Sequence, residues 1–233
     1  MADLNGKVAI VTGASKGLGA AVARRFAKSG AQVVAAARNR DKLEALTREY
    51  PDQILPIQCD ITQPDQVQDL INTTAKELER IDILVNNAGI GRFGKVQDLS
   101  IEDWDQMMDV NLKGVFLACK YAIPHLIRSK GHIVNVSSVA GTVTFSGGGG
   151  YCASKFGLMA LSEVLTQELK KEEVKVNTLC PGSIQTDFFD DPKDYALSAE
   201  QVAETVWLMV TAPSGVIYNQ IIMRPQVPPE LQK

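Results

Sequence analysis

The chain predicts one α/β domain, a parallel β-sheet of about seven strands with helices on both faces. Two observations carry this. Short apolar runs alternate along the whole chain with helical segments of about 10–15 residues, the pattern of βαβ units. The runs are nearly continuous in apolar residues, as strands buried on both faces require. No low-complexity tract or internal repeat divides the 233 residues, so residues 1–233 are taken as a single doubly wound domain.

The elements follow in order. Residues 8–11 form a first strand ending at Thr12-Gly13. Residues 17–29 are helical, with Leu18, Ala21, Val22 and Phe26 on one face and Gly30 as the cap. Residues 32–37 are the second strand and 41–50 a helix closed by Pro51. Residues 54–59 are the third strand, and 64–79 a helix with Val67, Leu70, Ile71, Ala75 and Leu78 on its apolar face. Residues 81–85 are the fourth strand, ending at Asn86-Asn87-Ala88-Gly89. A long helix over 101–127 should kink or break at Pro124. Residues 132–137 are a fifth strand, 151–171 a helix, 174–179 a sixth strand, 199–211 a helix and 216–223 a last strand. A Pro-rich tail from about residue 224, with prolines at 225, 228 and 229, is expected to be extended.

Composition excludes several classes. The chain is 45% hydrophobic and 22% charged, with a net charge of -3, which gives no reason to expect nucleic acid or an anionic membrane as partner. No apolar run approaches the roughly 20 residues of a membrane span. Asp3, Asn5 and Gly6 interrupt any signal-peptide pattern. Cys59, Cys119, Cys152 and Cys180 form no CxxC pair and suit neither zinc nor a disulfide scaffold, so buried reduced thiols in a cytoplasmic protein are expected. His125 and His132 lack metal-ligand spacing, and no metal site is expected. Trp104 and Trp207 sit among apolar neighbours as core or interface residues.

The first strand-to-helix junction reads Thr12-Gly13-Ala14-Ser15-Lys16-Gly17-Leu18-Gly19. Glycines allow a tight turn and close backbone approach, and a helix N-terminus offers free N–H groups and positive potential to a pyrophosphate. The G-x-x-x-G-x-G spacing is also compatible with a plain strand-to-helix turn. At the end of the second strand, Ala35-Ala36-Ala37 leads into Arg38 where an acid would mark NAD. Arg38, helped by Lys16, suits a 2′-phosphate and points to NADP(H); a solvated surface arginine is the alternative.

A second group lies further along. Tyr151 and Lys155 are four residues apart at a helix start, and Ser138 lies thirteen residues before the tyrosine. A phenol, an ammonium and a hydroxyl so placed can protonate and polarise a carbonyl oxygen, with the ammonium lowering the phenol's pKa. Taken alone, such a Tyr–Lys pair also fits a solvated helix surface.

With these motifs in view, the chain resembles the short-chain dehydrogenase/reductase family. The resemblance rests on Thr12-Gly13-x-x-x-Gly17-x-Gly19, Asn86-Asn87-Ala88-Gly89, Asn111, Ser138, Tyr151-x-x-x-Lys155 and Pro181-Gly182, in the family's order and covering residues 6 to about 223. It implies a Rossmann-like fold, a nicotinamide cofactor and catalysis by Ser138, Tyr151 and Lys155 with Asn111 in support. It further implies cofactor contacts from Gly13, Ser15, Lys16, Gly17, Leu18 and Gly19, from Arg38, from Asp60 and Ile61, and from Asn87, Ala88 and Gly89. Tyr151, Lys155, Pro181, Gly182, Ile184 and Thr186 complete that set. Asp60 also suits a turn. The resemblance implies a homodimer or homotetramer paired through the two long helices.

Three features depart from the family pattern. Gly147-Gly148-Gly149-Gly150 precedes the tyrosine and predicts a mobile segment with little side-chain recognition. The lid after Thr186 is short, and its Phe188 and Phe189 suit either covering an apolar or aromatic substrate or packing. The C-terminus reads Ile222-Met223-Arg224-Pro225, without the Gly-Gly turn of many members. The expected function is an NADP(H)-dependent carbonyl reductase or alcohol dehydrogenase acting on a small or mid-sized substrate. A 3-oxoacyl thioester reductase and a non-catalytic dinucleotide-sensing protein are the alternatives.

Overall fold

In the computed structural model, which describes residues 3–186, 188 and 194–227, every strand of the sheet runs in the same direction. The strands are β1 (Val8–Thr12), β2 (Gln32–Ala37), β3 (Ile54–Gln58), β4 (Ile83–Asn86), β5 (His132–Val136), β6 (Lys175–Pro181) and β7 (Gln220–Met223). Their spatial order is β3-β2-β1-β4-β5-β6-β7. The chain therefore winds outward from β1 in one direction, returns, and winds outward in the other. That leaves a switch point between β1 and β4, where open α/β sheets bind ligands beyond the C-terminal strand ends.

The helices are α1 (Gly17–Lys28), α2 (Arg40–Glu49), α3 (Pro64–Leu78), α4 (Ile101–Met108), α5 (Gly114–Ser129), α6 (Gly149–Leu169) and α7 (Ala199–Val210). Strand residues alternate between two cores, because successive side chains leave opposite faces of a sheet. Ala9, Val11, Val33, Ala35 and Val85 pack with α1, α2 and α7. Ile10, Val34, Leu84, Ile133 and Val176 pack with α3, α5 and α6. Both faces are covered, which explains why the strands read as unbroken apolar runs.

The differences from the sequence reading have local physical causes. The fourth strand begins at Ile83 rather than residue 81, because Asp82 is used as an anchor. It accepts the Val8 N–H at 3.0 Å and is held by Lys7 at 3.1 Å and Arg80 at 2.7 Å. Burial works against its charge, yet Arg80, the Val8 N–H and Lys7 together hold the carboxyl below the usual range. The break expected at Pro124 is absent, since α5 runs through that residue. Packing of Ala122 and Leu126 into the core outweighs the missing N–H. The helical run is interrupted instead by a π-helical turn, Asp109–Lys113, which carries Asn111. The last strand is confined to Gln220–Met223, because a turn closed by the Val216 N–H on the Pro213 carbonyl comes before it.

The four glycines have a packing role that the expectation of a mobile segment missed. Gly149 and Gly150 are the first two residues of α6. A Cβ on Gly149 would meet Val96 at 2.8 Å, and one on Gly150 would run into Met107. The Gly94 N–H donates to the Gly147 carbonyl at 2.9 Å, tying this segment to the loop after β4. All four cysteines are buried and unpaired. Burial, helped by Lys175, pushes His132 down to about 4, so it stays neutral as a structural residue should. No cluster of metal-binding type occurs among the described residues, and none of their helices is long and apolar enough to cross a membrane.

Candidate active site

A cavity of about 1430 Å³ opens at the C-terminal ends of β1, β2, β4, β5 and β6. Its first wall is the loop between β1 and α1. Gly13 has φ 68°, and a Cβ there would lie 2.8 Å from the Ala88 Cα. Gly19 lies behind the loop, where a Cβ would be 2.5 Å from the Asn87 amide nitrogen. Asn87 holds the loop from the neighbouring strand end by donating through Nδ2 to the carbonyls of Thr12 at 2.9 Å and Gly13 at 3.3 Å. The Thr12 hydroxyl oxygen accepts the N–H groups of Asn87 and Ala88 at 3.1 and 3.2 Å. Two adjacent strand ends are thereby locked into one cradle. Lys16 at the N-cap of α1 makes no side-chain cap, and the first turn holds no acid. The open amide end of α1 at this wall therefore carries the positive potential of a helix N-terminus.

At the end of β2, Arg38 is exposed and lines the cavity beside Asn39 and Lys42. The nearby Arg40 is taken by Glu44 at 2.8 Å and Arg24 by Glu49 at 2.7 Å. Asp60 also lines the cavity, while its Oδ1 accepts the Thr62 N–H at 3.0 Å and hydroxyl at 2.8 Å, so the turn role suggested by its residue type is present. Of the cofactor positions expected from the sequence, the cavity is lined by Gly13, Ser15, Lys16, Gly17, Leu18, Arg38, Asp60, Ile61, Asn87, Ala88 and Gly89. Tyr151, Lys155, Pro181, Gly182, Ile184 and Thr186 line it too, and only Gly19 stands behind.

The floor brings Ser138, Tyr151 and Lys155 together. Ser138 follows β5 and accepts the Ala140 N–H at 3.1 Å, which caps a short helical turn. Tyr151 is 7% and Lys155 4% exposed, which excludes a solvated surface pair. Lys155 donates from Nζ to the Val136 carbonyl at 3.0 Å and lies 5.8 Å from the centre of the Tyr151 ring. Asn111 sits beneath rather than in the cavity. Its Oδ1 accepts the Ile90 N–H at 2.8 Å, and its Nδ2 donates to the Ile90 carbonyl at 2.9 Å and the Ser154 hydroxyl at 3.0 Å. Ser154 in turn donates to the Tyr151 carbonyl at 2.8 Å. The π turn thus braces the first turn of α6, which presents the tyrosine.

Electrostatics reverse one expectation. Lys155 was expected to lower the Tyr151 phenol, but burial pushes it up to about 12, against a hydrogen bond with Ser138 that acts downward. The physical reason is that a nearly fully buried phenolate loses its hydration. Burial also brings Lys155 down to about 8.

Sequence reasoning missed Phe93 and Phe145. Each is an isolated aromatic on a loop, with no periodicity to mark it, and contact between their loops depends on the glycine pairing of Gly94 with Gly147 and Gly148. Phe188 lies beside Tyr151 with ring centres 5.8 Å apart. Phe189 and the rest of the short lid, residues 187 and 189–193, lie outside the described residues, as does the tail from 228.

A doubly wound parallel sheet with a glycine cradle at its switch point and a Ser–Tyr–Lys group on the cavity floor defines a dinucleotide-type oxidoreductase site. The model of the short chain dehydrogenase family matches residues 7–195, and the chain belongs to the short-chain dehydrogenase/reductase family of oxidoreductases. It is 34% identical to an uncharacterized oxidoreductase of Staphylococcus epidermidis, covering 97% of this chain and 100% of that protein. It is also 34% identical to the 3-oxoacyl-[acyl-carrier-protein] reductase of Thermotoga maritima, over 94% of this chain and 96% of that one. Among solved structures, an alcohol dehydrogenase from Thermococcus sibiricus complexed with 5-hydroxy-NADP superposes with a TM-score of 0.89 at 30% identity, covering 95% of this chain and 98% of that one. A metagenomic short-chain oxidoreductase in complex with NADP gives 0.87 at 35% identity, covering 97% and 99%.

Proposed function

We propose that the protein is an NADP(H)-dependent reductase that interconverts a carbonyl and a secondary alcohol on a small to mid-sized substrate. The observation that carries this is the group of half-buried Ser138 with buried Tyr151 and Lys155 on the floor of the cavity that the glycine cradle also lines. The cradle fits a dinucleotide: Gly13 admits close approach, the amide end of α1 suits a pyrophosphate, and Arg38 suits a 2′-phosphate. The NADP-type complexes of the two structural neighbours support the same cofactor. When bound, a reduced nicotinamide supplies a hydride to the carbonyl carbon, and its oxidised form a positive charge that favours the phenolate in the reverse direction.

The chain's own residues do the rest. Ser138 donates a hydrogen bond to the carbonyl oxygen, where negative charge develops. Tyr151 gives that oxygen its phenolic proton, so that the C=O bond gains two electrons and two hydrogens and becomes an alcohol. Lys155, charged below about pH 8, stabilises the phenolate left behind. Asn111 and Ser154 hold the tyrosine's backbone in place.

The test is NADPH oxidation by the purified protein over a panel of ketones, aldehydes and diketones. Turnover on at least one class is expected; none on a broad panel would overturn the proposal. A 3-oxoacyl thioester substrate is the second reading, favoured by the Thermotoga maritima relative, and activity on an acetoacetyl thioester above that on simple ketones would select it. We also infer a cytoplasmic homo-oligomer paired through α5 and α6, where Phe116, Phe156 and Val164 stand exposed. Light scattering should give a mass of two or four chains, and a monomer would remove this inference.

A further inference from the structure

We propose that the space beside Tyr151 is an aromatic subsite walled by Phe145 and Phe188, and that the substrate carbonyl carries a flat aryl group. This rests on the carbonyl-reductase reading and adds the substrate class to it. Phe145 and Phe188 line the same cavity as Tyr151 and Ser138. Phe93 joins them into one set: its ring stands edge-on to Tyr151 with centres 5.5 Å apart at 70°, and 6.0 Å from that of Phe145. Phe188 lies 5.8 Å from Tyr151. These spacings fall within the range in which aromatic rings attract each other, so a further ring entering the set finds edges and faces already in place.

Phe188 packs against Tyr151, but simple packing does not account for Phe145. Phe145 is 48% exposed and lines the cavity, so its ring presents apolar surface to the opening rather than filling a core. Two glycines make room for the rings. A Cβ on Gly148 would lie 2.6 Å from the Phe145 ring, and one on Gly91 would lie 2.7 Å from Phe93 and 3.0 Å from Phe188. Gly148, in the glycine run before Tyr151, therefore leaves room for the Phe145 ring at the cavity that Tyr151 also lines. Val143 extends the apolar wall. Arg92, on the same loop, pairs with Asp103 at 3.2 Å. The polar hydroxyls of Ser138 and Tyr151 meet the carbonyl oxygen, and the rings take the group attached to the carbonyl carbon.

Acetophenone and cyclohexyl methyl ketone have similar size, but only the first offers a flat aromatic ring. Phe145→Ala should raise KM for acetophenone about five- to tenfold with a smaller change in kcat. It should also lower the ratio of kcat/KM for acetophenone over cyclohexyl methyl ketone about fivefold. Phe145→Leu keeps an apolar side chain without the ring and should lose the same selectivity, which separates loss of the aromatic wall from loss of folding. NADPH fluorescence titration verifies that each variant still forms the cofactor site. An unchanged ratio in either folded variant, while the wild-type protein reduces both ketones, overturns the aromatic subsite and leaves the reductase function standing. No turnover of any carbonyl by the wild-type protein overturns both.

Discussion

Replacing Tyr151 by Phe should lower kcat for carbonyl reduction by about 10²- to 10⁴-fold, the usual contribution of a positioned general acid. The substitution removes one oxygen from a side chain that is otherwise packed among Met107, Ala140, Cys152 and Phe188, so the ring keeps its seat. The hydroxyl's partner, Ser138, lines the open cavity, and its oxygen still accepts the Ala140 N–H. Little stability should therefore be lost, and NADPH should still quench or shift the fluorescence on binding. Steady-state kinetics with a fluorescence titration on the same samples check both halves. Turnover equal to wild type would remove Tyr151 from the chemistry and favour a dinucleotide-sensing role.

The pH dependence has a definite sign. With burial holding the phenol up at about 12, Tyr151 carries its proton throughout the neutral range, which is the form that reduction needs. Alcohol oxidation needs the phenolate, so its kcat/KM should climb with pH, while reduction should stay level up to about pH 8 and fall above it as Lys155 loses the charge that stabilises the phenolate left behind. Lys155, lowered by burial to about 8, limits this: above that value it sheds the charge that stabilises the phenolate, and the climb should flatten. Tyr151→Phe should show neither feature in its residual activity.

The architecture was legible because the central strands are buried on both faces and so wrote themselves as apolar runs. The order of strands was not, since β1 meets β4 through a contact between residues more than seventy positions apart, as in the Ala9–Ile83 pair. The long helix shows the limit of local pattern most plainly. Its periodicity continues across Asn111, and the proline at 124 drew the expected kink. The actual irregularity carries a pair of hydrogen bonds between Asn111 and Ile90, one donated by each, and that partner 21 residues away is one that no local rule contains. The site was legible where it depends on residue type at fixed spacing, as in Tyr151 and Lys155, and in the glycines that must lack a Cβ. It was illegible where loops converge. Phe93 and Phe145 meet through backbone pairing of Gly94, and the glycine run read as slack from composition turned out to hold side chains at close range. The direction of the Tyr151 shift was also hidden, because proximity to a lysine follows from spacing whereas desolvation follows only from burial.

Arg38 should set the choice of cofactor. The wild-type protein should use NADPH in preference to NADH, and Arg38→Asp should lower the NADPH-to-NADH ratio of kcat/KM by about 10- to 100-fold. The magnitude follows from the roughly 1.5–3 kcal/mol of a hydrogen bond to a charged group. Three features of the wall favour this residue over its neighbours. Arg40 and Arg24 are committed to Glu44 and Glu49. Asn39 is committed to capping α2, where its Oδ1 accepts the Lys42 N–H at 2.9 Å. Residues 35–37 are alanines, so no carboxylate stands at the strand end to accept ribose hydroxyls or repel a phosphate. An aspartate placed at 38 supplies that acceptor and that repulsion together, and most of the change should appear as a higher KM for NADPH. Because Lys16 remains on the facing loop, some preference for the phosphorylated cofactor should survive in Arg38→Ala and vanish only with the charge reversal. A wild-type protein that prefers NADH, or a ratio indifferent to both substitutions, would place the adenosine end of the cofactor elsewhere on this wall.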